Sequence, residues 1–279
     1  MLYIPQMGVL QRQSNTGSTG ALNIGSTVTT SGTASVFGTV VELIASTNFD
    51  AYWIEIMACD YALAATACEG MLDILIGTST EESLIPDLLM GHCKGPNEAA
   101  IPSGLGKMWS FPLYIPAGSR ISARACGVRL STAMRVAVFI FGGHGTPPFR
   151  VGTKVISYGT ATRPRGKTVA VTTPGEGAWT EITASTTEDH FAVVPSLQSA
   201  TDTTVTQKVI ALDIGVGAAT EEEMAGQYHY GFGTGEGITG HWPQMPCFDD
   251  IPSGSRLVAR LSGSAAGDTA TDVMLHCVS

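Results

Sequence analysis

Two aspartates stand side by side in "PCFDDIPSG", at Asp249 and Asp250. Two carboxylates can divide general-acid and general-base work if both reach the same bond. Adjacent side chains on a regular strand point to opposite faces, so this pair is expected to be a poor acid–base couple. A second set lies just upstream: His229, Glu236 and His241 in the Gly-rich stretch "YHYGFGTGEGITGHW". Imidazoles beside a carboxylate are metal-ligand types, but neither Cys-x-x-Cys nor His-Glu-x-x-His accompanies them. A long surface loop with stacked aromatics, special to this half of the chain, is the expectation for residues 225–242.

"RPRGKT", Arg163 to Thr168, ends like a phosphate-binding loop, yet Ala161 stands where that loop needs its first glycine. No Gly-x-Ser-x-Gly marks a nucleophile, and His92, His144, His190 and His276 are scattered. Trp53, Trp109, Trp179 and Trp242 are the aromatics a sugar platform would use, but without a pattern tryptophans are more often core. The sequence therefore assigns no catalytic, cofactor-binding or metal-binding residue, and no cofactor. A chain without an enzymatic role is expected.

The totals narrow the field. With a net charge of −9 and a pI near 5.0, the chain lacks the clustered Lys and Arg that neutralise phosphates, so nucleic acid is not an expected partner. No apolar run approaches the ~20 residues of a membrane-spanning helix, and "MLYIPQMGVLQRQ" lacks a signal peptide's basic start and apolar core. Six cysteines are dilute in 279 residues and read as buried thiols made in a reducing cytoplasm. Cys59 and Cys68, flanking "DYALAATA", are the one pair placed to face each other across a hairpin.

The elements that must hold these residues repeat. "IPAGSRISAR" from Ile115 is answered by "IPSGSRLVAR" from Ile251, "ELIAST" from Glu42 by "EITAST" from Glu181, and "LDILIGTSTEE" from Leu72 by "LDIGVGAATEE" from Leu212. Three matches in one order, at offsets of 136, 139 and 140 residues, indicate a duplicated unit. Each copy alternates with the period of a strand: Leu72, Ile74 and Ile76 inward against Asp73, and Leu212, Ile214 and Val216 against Asp213. Arg120, Arg124 and their counterparts lie on the polar face, where they could meet Asp73 and Asp213 across neighbouring strands. "IPxGS" has the Pro and Gly of a tight turn, expected as a hairpin loop on a type I turn with a Gly bulge.

Eight strands are predicted per unit, starting near 26, 38, 52, 70, 82, 108, 120 and 134, and again near 167, 179, 190, 208, 226, 245, 256 and 272. The acidic "STEES" and "ATEEE" are each allowed one helical turn. The fold class is all-β: two tandem antiparallel β-sandwich, jelly-roll-like domains from an internal duplication, with an extended N-terminal arm. The boundaries read 1–25 for the arm, 26–143 for the first sandwich, 144–166 for a linker and 167–279 for the second sandwich.

"FPLYIPAGSRISARA" and "MPCFDDIPSGSRLVARL", each followed by a short closing strand ("VAVFIFG", "VMLHCV"), make the chain resemble virion structural proteins of tailed bacteriophages, of the kind that decorate heads or build head fibres and collars from jelly rolls. The resemblance covers residues 38–279. It implies an assembly role, other virion proteins (capsid, neck or tail) as partners, a homo-oligomer, and localisation in the virion after synthesis in the host bacterial cytoplasm. The alternative is a carbohydrate- or receptor-binding module, with a host surface glycan as partner.

Overall fold

The computed structural model describes residues 11–15, 25–60, 70–77, 81–90, 107–128, 130–143, 147, 149–172, 175–199, 208–217, 222–232, 238–240, 244–263 and 271–279. The first half holds β1 (Gln11–Ser14), β2 (Ser26–Thr29), β3 (Val41–Ile44), β4 (Ala51–Asp60), β5 (Gly70–Gly77), β6 (Glu82–Leu89), β7 (Lys107–Phe111), β8 (Arg120–Gly127) and β9 (Ala133–Gly142). The second holds β10 (Val155–Tyr158), β11 (Lys167–Val169), β12 (Val171–Thr172), β13 (Thr180–Thr183), β14 (His190–Ser199), β15 (Lys208–Val216), β16 (Glu222–Phe232), β17 (Ile238–Gly240), β18 (Cys247–Ile251), β19 (Leu257–Gly263) and β20 (Thr271–Val278). The protein is an all-β, antiparallel sandwich fold, as its patterning predicts. In the described part of the two acidic stretches the chain is strand from Glu82 and from Glu222 onward.

Each half packs two sheets. In the first, β1 and β2 share one edge of β9, followed by β4 and β7, opposite the order β3-β8-β5-β6. In the second, β10 and β11 share one edge of β20, followed by β14 and β18, opposite a sheet in which β13, β19, β15 and β16 follow the same order. Pairing early strands with late ones in both sheets is jelly-roll topology. The duplication also reaches further upstream than the sequence matches. β1, inside the segment read as an arm, and β10, inside the segment read as a linker, are the same element of the two copies.

The repeated letters now have repeated jobs. Thr47 donates its hydroxyl to Pro116 O at 2.6 Å and accepts Ser119 N at 2.9 Å; Thr186 does the same with Pro252 O and Ser255 N at 2.8 and 3.0 Å. Asp50 accepts Ala117 N at 2.8 Å and Asp189 accepts Ser253 N at 2.7 Å. These clamps close turns in which Ser119 N reaches Pro116 O and Ser255 N reaches Pro252 O, so Pro is the first of four residues. Gly118 and Gly254 sit third, at φ of 81° and 86°. That is the glycine position of a type II turn, in place of the expected type I turn with a bulge. The turn is also no hairpin, because β7 and β8 belong to opposite sheets. It carries the chain from one layer to the other.

Arg124 meets Asp73 at 2.8 Å and Arg260 meets Asp213 at 2.9 Å, across directly registered strand positions. Arg120–Glu42 and Arg256–Glu181, at 2.9 and 2.8 Å, complete the set.

The two halves join through a seam. β20 and residues 190–197 of β14 are buried on both faces. Val273, Leu275 and Cys277 enter the second core with Val193 and Leu197. The opposite face sends Val194 and Val278 into the first half's core and sets Met274 against Met71, Leu89 and Cys126. The polar groups at the seam form a chain of hydrogen bonds. Leu89 N donates to Ser196 Oγ at 3.2 Å, Ser196 Oγ lies 2.7 Å from His276 Nε2, His276 Nδ1 lies 2.6 Å from Ser157 Oγ, and Ser157 donates to Pro86 O at 2.6 Å. Lys107 Nζ donates to Leu89 O at 3.0 Å and to Leu197 O across the seam. Main-chain bonds from Ser110 N to Gln244 O and from Tyr114 N to Gly152 O cover the free edge of β7. Gly152 has no room for a side chain: a Cβ would fall 2.4 Å from Val278 Cγ1.

Candidate functional site

Asp249 and Asp250 do not lie on a regularly alternating strand. Opposite β18, residues 190 and 192 of β14 pair with 251 and 248, so one extra residue on β18 forms a β-bulge. The bulge leaves Phe248, Asp249 and Asp250 all exposed, and a strand-alternation rule no longer applies to them.

Beside this bulge lies a hollow of about 200 Å³ lined by Arg150, Asp189, His190, Asp250, Ile251 and Pro252. The duplicated corner builds it: Asp189 is the residue that clamps the turn after Pro252. Arg150 donates to Asp250 at 2.9 Å and lies over the Phe191 ring, 4.6 Å from its centre. Phe191 in turn stacks with Phe248, whose ring is 51% exposed. His190 is buried, with Nε2 3.0 Å from the Tyr158 hydroxyl, which also accepts Thr187 N. Its Nδ1 is buried and has no hydrogen-bond partner among the described residues. Burial holds the His190 pKa below the usual imidazole value, so the ring is neutral at physiological pH. Nearby, hydrogen bonds from Lys154 and Ser279 keep the Glu188 carboxyl below its ordinary range.

The first copy is built differently at the same place. Ala51 stands for His190, Tyr52 for Phe191 and Tyr114 for Asp250, and the two tyrosine rings stack at 5.8 Å.

A second polar cluster sits at the seam. Asp73 accepts Asp87 N at 2.8 Å, and Asp87 occupies a bulge of β6 at a φ of 57°. Thr160 donates to Asp87 at 3.2 Å, Arg163 Nε stands 3.5 Å from it, and Arg124 and Arg163 both lie over the Phe37 ring. Burial raises the Asp73 pKa against the lowering effect of the Asp87 amide and Arg124. Arg124 already holds Asp73 and Arg163 faces Asp87 from the other sandwich, which makes this cluster a brace.

The other sequence candidates are dispersed. Trp53 and Trp109 are buried, and Trp179 is covered by Arg260, 4.3 Å above its ring. They form no platform, and Trp242 lies outside the described residues. Glu236 and His241 also lie outside them, and of His229 only its place in β16 is described. Among the described residues no His, Cys, Asp and Glu group could hold a metal ion. Lys167 and Thr168 are part of β11, and Thr168 donates to Asp272 at 2.8 Å. Cys126, Cys247 and Cys277 are free thiols, each raised in pKa by burial; whether Cys59 faces Cys68 lies outside the described residues. His190 carried no signal in the sequence. Only its position directly after the repeated "AST-x-x-D" clamp could have marked it.

No family model matches the chain, and no curated protein matches it significantly. Among solved structures it is similar to PNGF-II, with a TM-score of 0.38 at 7% identity, covering 92% of this chain and 65% of that one. It is also similar to a peptide-N(4)-(N-acetyl-β-D-glucosaminyl) asparagine amidase, with a TM-score of 0.35 at 10% identity, covering 91% of this chain and 96% of that one. A third likeness, with a TM-score of 0.33 at 11% identity, is to PNGase F, a glycosylasparaginase from Flavobacterium meningosepticum, with 91% and 96% covered. The chain spans about two thirds of the length of the PNGF-II structures. These matches correct one expectation: the reading of the chain as no enzyme is withdrawn, because the named proteins it matches include an amidase and a glycosylasparaginase. At such identity and TM-score no residue or activity is carried over from these proteins.

Proposed function

We propose that this chain is a structural protein of a tailed-phage virion, a head-decoration, head-fibre or collar-type component that forms homo-oligomers and attaches to other virion proteins. The observation that carries the reading is the seam. It joins two sandwiches through a continuous apolar contact and a closed chain of hydrogen bonds from Leu89 N to Pro86 O, giving one stiff block of the sort a particle surface repeats. A braced apolar patch adds to it. Val36, Val128 and Leu130 are exposed on two loops tied together by Ser35 N to Gly127 O and Ser131 N to Ser31 O. Rigid exposed apolar side chains suit contact with another protein.

Quantitative mass spectrometry of purified particles from the source tests the proposal. Hundreds of copies per particle are expected for a decoration protein and roughly 5–20 for a neck or collar, the low multiples of cyclic symmetry. Absence from the particle overturns the reading. A variant lacking residues 1–10 keeps β1 and should fold; loss of its attachment would assign the docking role to those residues.

A further inference from the structure

The two sandwiches are not closed equally. On one side of the first, between β6 and β7, Leu84, Ile85, Leu88, Trp109 and Phe111 are all buried in its core. Strands β10, β14 and β20 of the second unit lie against β6, and β14 also lies against β7, so the second unit caps that side. The duplication gives each of these residues a counterpart in the second sandwich: Met224, Ala225 and Tyr228 on β16, with Met245 and Cys247 at the start of β18. All five are part-exposed. Apolar side chains gathered at the open side of a core mark a contact surface.

The capping face has a counterpart too. Ser157, His276 and Ser196 correspond to Ser14, Phe139 and Met57 on β1, β9 and β4 of the first unit. These three are part-exposed. Towards β7 the same face is covered, with Trp53, Glu55 and Ser110 buried, so its open part runs over β1 and β9. One molecule therefore carries an uncapped side and a spare capping face. The two do not close on each other within the molecule, since both stay part-exposed.

The residues that a repeat of the seam would bring together match in kind. His276 packs against the Phe111 ring, centres 6.2 Å apart. In a repeat, Phe139 takes the place of His276 and Cys247 that of Phe111, an apolar ring on a half-buried thiol. Val155 stands where Arg12 stands in the first unit, and it shares the apolar cluster of Phe111 and Leu113. The counterpart of Leu113 is Asp249. A repeat thus sets a guanidinium beside a carboxylate. Arg12 and Asp249 are both exposed, and neither forms an ion pair among the described residues.

We propose that this chain self-associates head to tail, the outer face of β1 and β9 of one copy capping the β16–β18 side of the next as the internal seam caps the first sandwich. This rests on the homo-oligomer part of the proposed function and not on the virion part. A heterologous contact of this kind closes into a ring if its rotation closes and otherwise builds a filament.

Sedimentation velocity of the purified full chain over a range of concentrations tests it, with Arg12→Glu, Asp249→Arg and the double variant alongside. Both side chains are exposed, so unchanged circular dichroism and melting confirm that the variants fold. Wild type is expected to associate. Each single variant should do so at least about tenfold more weakly, because like charges then face each other, and the double variant should return close to wild type. Three outcomes overturn the proposal: a wild-type chain that stays monomeric at every concentration, a single variant that associates like wild type, or a double variant no tighter than the singles. A chain that is monomeric yet present in particles loses this inference alone, and one that associates as expected yet is absent from particles loses only the virion reading.

Discussion

β9 and β20 are the same strand in two copies, yet they live in different surroundings. Their inward faces match in kind: Val136, Val138 and Ile140 in the first core, Val273, Leu275 and Cys277 in the second. Their outward faces have parted. β9 turns out Arg135 and Phe139, and the Phe139 ring lies under Arg12 from the neighbouring β1. β20 turns out Asp272, Met274 and His276, each buried against other elements of the protein. β4 and β14 differ in kind on that face: Trp53 and Glu55 on one, Val194, Ser196 and Gln198 on the other, all of them buried. After duplication the inward faces had to stay apolar because each closes its own core. The outward faces were free to diverge, and one copy became the socket for the other.

The largest expected effect separates these two outer faces. Replacing His276 by Leu leaves Ser157 and Ser196 without their imidazole partner inside the seam, a loss of about 2–3 kcal/mol. Phe139→Leu on the half-exposed face of β9 should cost under about 1 kcal/mol. Urea denaturation compares the two. Equal losses would mean that the outer faces of the two copies are energetically alike.

Acid sharpens the contrast. An unfolded imidazole titrates near 6.5, whereas burial drives the His276 pKa down to about 3. Between those values the unfolded state binds the extra proton, so stability falls as pH falls. Buried Glu55, Asp73 and Asp272, with raised pKa values, act in the opposite sense. The informative quantity is therefore the difference between wild type and His276→Gln. Wild type should lose about 2 kcal/mol of its advantage between pH 7 and pH 5, at about 1.4 kcal/mol per pH unit below the unfolded value. A constant difference across that range would place a charged imidazole in the native seam.

The smallest effect tests sameness. Thr47→Val and Thr186→Val each break one clamp on one corner, and each should cost about 1 kcal/mol. Thermal melts within a few tenths of one another are expected. A much larger loss at Thr186 would show that the second corner also supports the cleft beside it.

Most of the fold was legible in the sequence. Period-two runs predicted strands beginning close to where β2–β9, β11, β13–β16 and β18–β20 begin, because alternation reports which side chains enter a core. The three repeated stretches exposed the duplication, and their Thr, Asp, Glu and Arg residues proved to be the clamps and ion pairs of one corner used twice. The copies of β1 escaped notice. A four-residue edge strand carries too short a pattern, and "QRQS" and "VISY" share no letters in register. The candidate site was less legible still. Asp249 and Asp250 were visible as a pair, but the bulge they sit in is set by pairing with β14.

By itself, then, the sequence determined the class of structure, the number of copies and the chemistry of the repeated corner, since these depend on residues close in the chain or on periodicity. Only the tertiary structure decided which outer face would be buried, which histidine would lose a partner, and where a cleft would open. Those outcomes depend on contacts between residues a hundred positions apart, such as Ser157 with His276 or Arg150 with Asp250, and no local pattern encodes which distant side chain will arrive.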